Sequence, residues 1–183
     1  MKREFQLSCE STVDLPYSYV SGRNIKVLFY TYLVDGKELL DDMGQDENTL
    51  VQFYKYLDEG KIPSTSQLNE FQYEEFFRNI LESGKDVFHI CFGTGMTGSY
   101  FNAIKARDKL QNEYKNRKII VIDSLCSSSG YGMLVDDAKD MFDEGVDYEE
   151  IIKWLEENKN RIHHQFYSTD LKYYRRTGRM SPF

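Results

Sequence analysis

Gly93, Gly95 and Gly98 stand in G-x-G-x-x-G spacing within HICFGTGMTGSYFNAIKA, between a strand-like run and a helix-like run. Two chemistries fit that spacing. In a nucleotide-binding loop, Gly93 makes the tight turn, Gly95 lets the backbone approach a pyrophosphate and Gly98 packs helix on strand. Asp123, at the end of the next strand, would then take the ribose. In the other, the helix amino end, with its unpaired N–H groups and partial positive charge, receives a small anion such as a carboxylate. Thr94, Thr97 and Ser99 place hydroxyls around it. The loop follows two helices, and about 85 residues come after it, few for a two-half dinucleotide sheet. Asp123 also opens a hydroxyl-dense segment, SLCSSSG. A second hydroxyl cluster, Ser64-Thr65-Ser66-Gln67, precedes another helix, and two such loops at one edge of a parallel sheet would converge on one anion.

Other chemistries find little support. His89, His163 and His164 have no metal-ligand spacing, so no metal is expected. The serines lack a G-x-S-x-G elbow, and the histidines offer Ser127, Ser128 and Ser129 no obvious base, which argues against a hydrolase. The net charge of -7 and pI near 5.1 argue against nucleic acid as a partner. Cys9, Cys91 and Cys126 are odd in number and widely spaced, as expected of free thiols in a reducing cytoplasm. No apolar segment approaches the ~18 residues of a membrane span.

These side chains need a scaffold, and periodicity supplies one. Strands are expected at Phe5 to Ser8, Ile25 to Val34, Val87 to Phe92 and Lys118 to Ile122, with a hairpin through Asp35-Gly36 to Lys37 to Leu40. Helices are expected from Asn48 to Gly60, Asn69 to Ser83, Ser99 to Gln111, Ser129 to Asp143 and Tyr148 to Asn158. Gln165 to Ser168 reads as a further strand. Continuous apolar strands alternating with helices make the fold class α/β, a parallel-sheet sandwich with helices on both faces. Residues 1–165 read as one α/β domain and 166–183 as the start of a truncated second one.

Four separated motifs, STVDLP (Ser11 to Pro16), STSQ (Ser64 to Gln67), GTGMTGSY (Gly93 to Tyr100) and IDSLCSSSGYG (Ile122 to Gly132), together resemble the DegV family of bacterial fatty-acid-binding proteins. TGRMS, Thr177 to Ser181, resembles that family's G-G-R-I-S segment, and the resemblance covers essentially the whole chain. It implies a non-catalytic carrier that holds a long-chain fatty acid, with no cofactor, and presents it to a separate fatty acid kinase subunit for acyl-phosphate formation. Peripheral membrane contact is compatible with that role.

Carried over residue by residue, the resemblance implies carboxylate binding by Thr65, Ser66, Thr94, Gly95 and Arg179. Ser11, Thr12, Gln67, Thr97, Asp123 and Ser124 would be supporting loop residues. Thr94 aligns with the second serine of the family's S-S-G-L-S-G-T-Y segment and Gly93 with the first, so one hydroxyl is lost. The family's usual aspartate before the first Ser-Thr is Glu10 here. Each residue also has a plainer reading. Thr65 would serve as a helix cap, Ser11 and Thr12 as turn caps, Asp123 and Ser124 as a loop brace capping the next helix, and Arg179 as a solvated charge.

Overall fold

The computed structural model describes residues 3–181. Four parallel strands form the central sheet: β1 (Phe5–Glu10), β2 (Lys26–Leu28), β6 (Asp86–Cys91) and β7 (Ile119–Asp123), in the order β2-β1-β6-β7. Every residue of β6 is buried. That is what an interior strand covered on both faces requires, and it explains the unbroken apolar run.

Helices cover both faces. On one side α1 (Tyr17–Gly22), α5 (Ser128–Asp143) and α6 (Tyr148–Asn158) pack over Leu7, Phe88, Ile90 and Ile122. On the other, α3 (Glu70–Glu82) and α4 (Ser99–Glu113) pack over Val87, Cys91, Ile119 and Val121. Alternate strand residues point to opposite faces, so one apolar run feeds two cores. Asn69 and Gln72 form a capping box at the start of α3, and the Asp147 side chain caps α6. The expected parallel-sheet sandwich is the fold observed.

The stretch read as one strand, Ile25 to Val34, is two. β2 ends at Leu28, and β3 (Thr31–Val34) belongs to a second, antiparallel sheet of order β4-β3-β5, with β4 (Lys37–Leu40) and β5 (Ser64–Thr65). At the break, Ser11 Oγ accepts the Tyr30 N–H at 3.0 Å, so a side chain from the β1 loop takes the place of a ladder partner. The Asp35-Gly36 hairpin forms as read, both residues with positive φ (51° and 77°) as a tight two-residue turn demands. Helix α2 (Glu47–Asp58) follows β4. Gln165 to Ser168 is irregular and mostly exposed rather than a strand, with no ladder to join. Short helix α7 (Lys172–Arg176) follows. Among the described residues, no helix is long and apolar enough to cross a membrane.

Candidate ligand-binding site

The carboxyl ends of β1 and β6 open at the edge of the sheet where α/β folds usually collect ligands. Beyond β1 the chain turns through a single 3-10 turn at Ser11–Val13. Beyond β6 it enters the glycine loop and then α4. The small antiparallel sheet and α2 stand over this edge. Together with the segment around α7 they line a half-open cavity of about 1270 Å³.

Seven of the residues expected at the site line this one cavity. Thr65, Ser66 and Gln67 come from β5 and its following loop, and Ser11 and Thr12 from the β1 loop. Thr97 comes from the glycine loop and Arg179 from beyond α7. The Thr12 hydroxyl oxygen is buried without a hydrogen-bond partner among the described residues. Apolar walls accompany these polar groups, among them Leu15, Met43, Phe53, Leu57, Ile62 and Phe92.

A hydroxyl hub fixes the polar wall. Ser99 Oγ accepts the Tyr30 hydroxyl at 2.7 Å and the Leu68 N–H at 3.1 Å, and it lies 3.0 Å from Thr97 Oγ1. One buried serine at the start of α4 therefore ties down the loop carrying Thr65 to Gln67. Burial pushes the Tyr30 phenol up from its ordinary range, with the carboxylate of Glu10 adding to the effect, so Tyr30 stays a donor.

Beneath the floor lies a group that the sequence reading did not single out as functional. The fully buried Glu10 carboxylate accepts the Phe92 N–H at 2.9 Å and the Tyr73 hydroxyl. The Glu10 N–H donates to Tyr131 Oη at 2.9 Å, and that hydroxyl donates to the Ile90 carbonyl at 2.5 Å. Helices on opposite faces of the sheet, α3 and α5, are thereby joined through one residue of β1. Burial, then the nearby Glu10, raises the phenols of Tyr73 and Tyr131 well above their usual range, which keeps both as donors.

Glu10, His89 and Cys91 bring one potential metal-ligand atom each within 4.8 Å of one another. The Glu10 oxygens are already engaged by Tyr73 and Phe92, and His89 Nδ1 is 2.9 Å from Ser8 Oγ. Burial also raises the Cys91 thiol, disfavouring the thiolate a metal needs. The cluster is built as a hydrogen-bonded core.

Four expected residues lie outside the cavity lining: Thr94, Gly95, Asp123 and Ser124. Asp123 accepts the Thr94 hydroxyl at 2.6 Å, the Thr94 N–H at 3.1 Å and the Leu125 N–H at 3.0 Å. Ser124 Oγ accepts the Cys126 N–H at 3.1 Å. These contacts brace the β6 and β7 loops against each other. Neither residue caps α5, whose N-cap is Ser127, and His164 Nε2 accepts the Ser127 N–H at 3.2 Å.

The glycine spacing has a firm packing explanation at its first member. A Cβ on Gly93 would lie 2.7 Å from the backbone of Leu125 and Cys126, and one on Gly98 would lie 2.5 Å from Gln67 Oε1. Gly95 faces open space. Gly93 is therefore small because the β7 loop backbone presses on it, whereas at Gly98 the close atom is the movable tip of the Gln67 side chain.

The family model described as an uncharacterised protein of the DegV family matches residues 4–183. The chain belongs to the DegV family. It is 34% identical over 179 residues to a DegV domain-containing protein of Clostridium perfringens, covering 98% of this chain and 61% of that protein. Among solved structures, a stearic-acid-binding protein from Eubacterium ventriosum matches with TM-score 0.75 at 25% identity, over 83% of this DegV chain and 52% of the other. The Streptococcus pneumoniae Fatty Acid Kinase (Fak) B3 protein, loaded with linoleic acid, matches with TM-score 0.69 at 19% identity, over 86% and 54%. This DegV chain thus spans between half and two thirds of the length of these relatives.

Proposed function

We propose that the cavity binds a long-chain fatty acid, with Thr65, Ser66 and Arg179 holding its carboxylate, and that the chain acts as a non-catalytic carrier. The observation that carries this reading is the composition of one cavity, where apolar walls from α2 and the surrounding loops meet a cluster of hydroxyls and two arginines, Arg176 and Arg179. A buried carboxylate demands several donors, and charge-assisted hydrogen bonds are the strongest of these. The tail supplies affinity: at ~0.8 kcal/mol per buried CH₂, about fourteen methylenes contribute on the order of 11 kcal/mol before association costs. Thr94 supports the site through Asp123 by fixing the glycine loop. Handing the bound acid to a separate kinase belongs to the same proposal, and likeness to the pneumococcal protein favours it.

Retention of radiolabelled hexadecanoic acid by the delipidated protein tests this reading. Thr65→Val and Arg179→Ala should each weaken retention by about tenfold or more, the worth of one hydrogen bond to a charged group. Retention unchanged in both variants would remove the proposed head site.

A further inference from the structure

Helices α3, α4, α5 and α6 each bury part of one face, whereas α2 buries no residue. It is nonetheless amphipathic. Leu50, Phe53 and Leu57, at i, i+3 and i+7, all line the cavity. A surface helix with such a stripe ordinarily presses it onto a core. Here the stripe faces the cavity, so its packing partner is whatever fills that space.

The attachments of α2 suit a movable element. Met43 and Gly44 before it and Gly60 after it hold left-handed backbone, with φ of 55°, 77° and 80°. A helix flanked on both sides by such turns can reorient with few dihedral changes. Its tethers are few: Thr49 Oγ1 donates to Asp42 at 2.8 Å, and beyond its end Lys61 pairs with the exposed Asp35 at 3.2 Å. The second is an ion pair of small worth. The Phe53 ring meets Tyr32 edge-on at 5.5 Å.

Strand register locates Phe53 along the cavity. Tyr32 is the cross-strand partner of Thr65, and such partners project to the same face. Phe53 therefore stands beside the proposed head site. Charge sets which part of a ligand lies there. Asp41 and Asp42, just before α2, line the cavity and repel a carboxylate, while Arg176 and Arg179 attract it. What lies under α2 is therefore the apolar chain.

We propose that α2 is a lid completed by its ligand. The methylenes nearest the carboxylate of a bound long-chain fatty acid supply the apolar surface that Leu50, Phe53 and Leu57 lack, and Phe53 is the side chain that retains them. This inference rests on the fatty-acid reading above. Amide hydrogen exchange on the whole chain, delipidated and then reloaded with hexadecanoic acid, tests it. Loading should slow exchange across residues 47–58 by at least about tenfold and leave α5 and α6 nearly unchanged. Phe53→Ala should speed dissociation about tenfold, by the same factor for 14- and 18-carbon acids, because its contact is near the head.

Equal α2 protection with and without ligand, together with unchanged dissociation from Phe53→Ala, overturns the lid while leaving fatty-acid binding intact. A loss that grows with chain length overturns the placement of Phe53. Wild-type protein that takes up no hexadecanoic acid overturns the fatty-acid reading and the lid with it.

Discussion

At Glu10 a single carboxylate meets the Tyr73 hydroxyl of α3 and the N–H of Phe92 beyond β6, while its own N–H meets Tyr131 of α5. Removing the carboxylate would leave a buried hydroxyl and a backbone N–H without acceptors. Glu10→Ala should therefore cost about 3–5 kcal/mol in urea denaturation, a loss read at the unfolding midpoint. A cost below about 1 kcal/mol would show that the network is dispensable. None of this was legible in the sequence. Glu10, Tyr73, His89 and Tyr131 are far apart in the chain, and their meeting depends on strand order and on two helices approaching from opposite faces. The hydroxyls of Thr65, Ser66 and Thr97 were legible as clusters ahead of helices at the sheet edge, whereas Ser11 was reached through the family resemblance.

Among the elements, the glycine loop separates packing from ligand approach. A methyl group at Gly93 would strike the backbone of Leu125 and Cys126, which has little room to move. Gly93→Ala should cost about 2–3 kcal/mol, whereas Gly95→Ala, facing open space, should change the thermal midpoint hardly at all. Equal effects at the two positions would contradict this account of the motif. The strands β1, β6 and β7 and the five longer helices were readable from apolar runs and periodicity, both local signals. The break at Phe29–Tyr30 was not, since it depends on the Ser11 hydroxyl taking the Tyr30 N–H from elsewhere in the fold. The two-residue strand β5 escaped for the same reason, being defined only by its pairing with Tyr32 and Leu33. Helix α2 was readable as amphipathic, but periodicity cannot say whether a stripe meets a core or a cavity.

For the whole molecule, two cores on opposite faces of one sheet leave the carboxyl edge free to carry a cavity walled by a second small sheet, α2 and the segment around α7. The glycine fingerprint alone admitted a nucleotide. The hydroxyl clusters, the arginines and the apolar walls together favour an anionic head with a long apolar tail. The most direct test is mass spectrometry of organic extracts from purified, denatured protein, alongside a nucleotide assay of the same sample. The account predicts a near-stoichiometric fatty acid of about 14 to 18 carbons and no nucleotide, because a tail of that length gains on the order of 10 kcal/mol by burial. An extract free of fatty acid, or a sample carrying bound nucleotide, would contradict it.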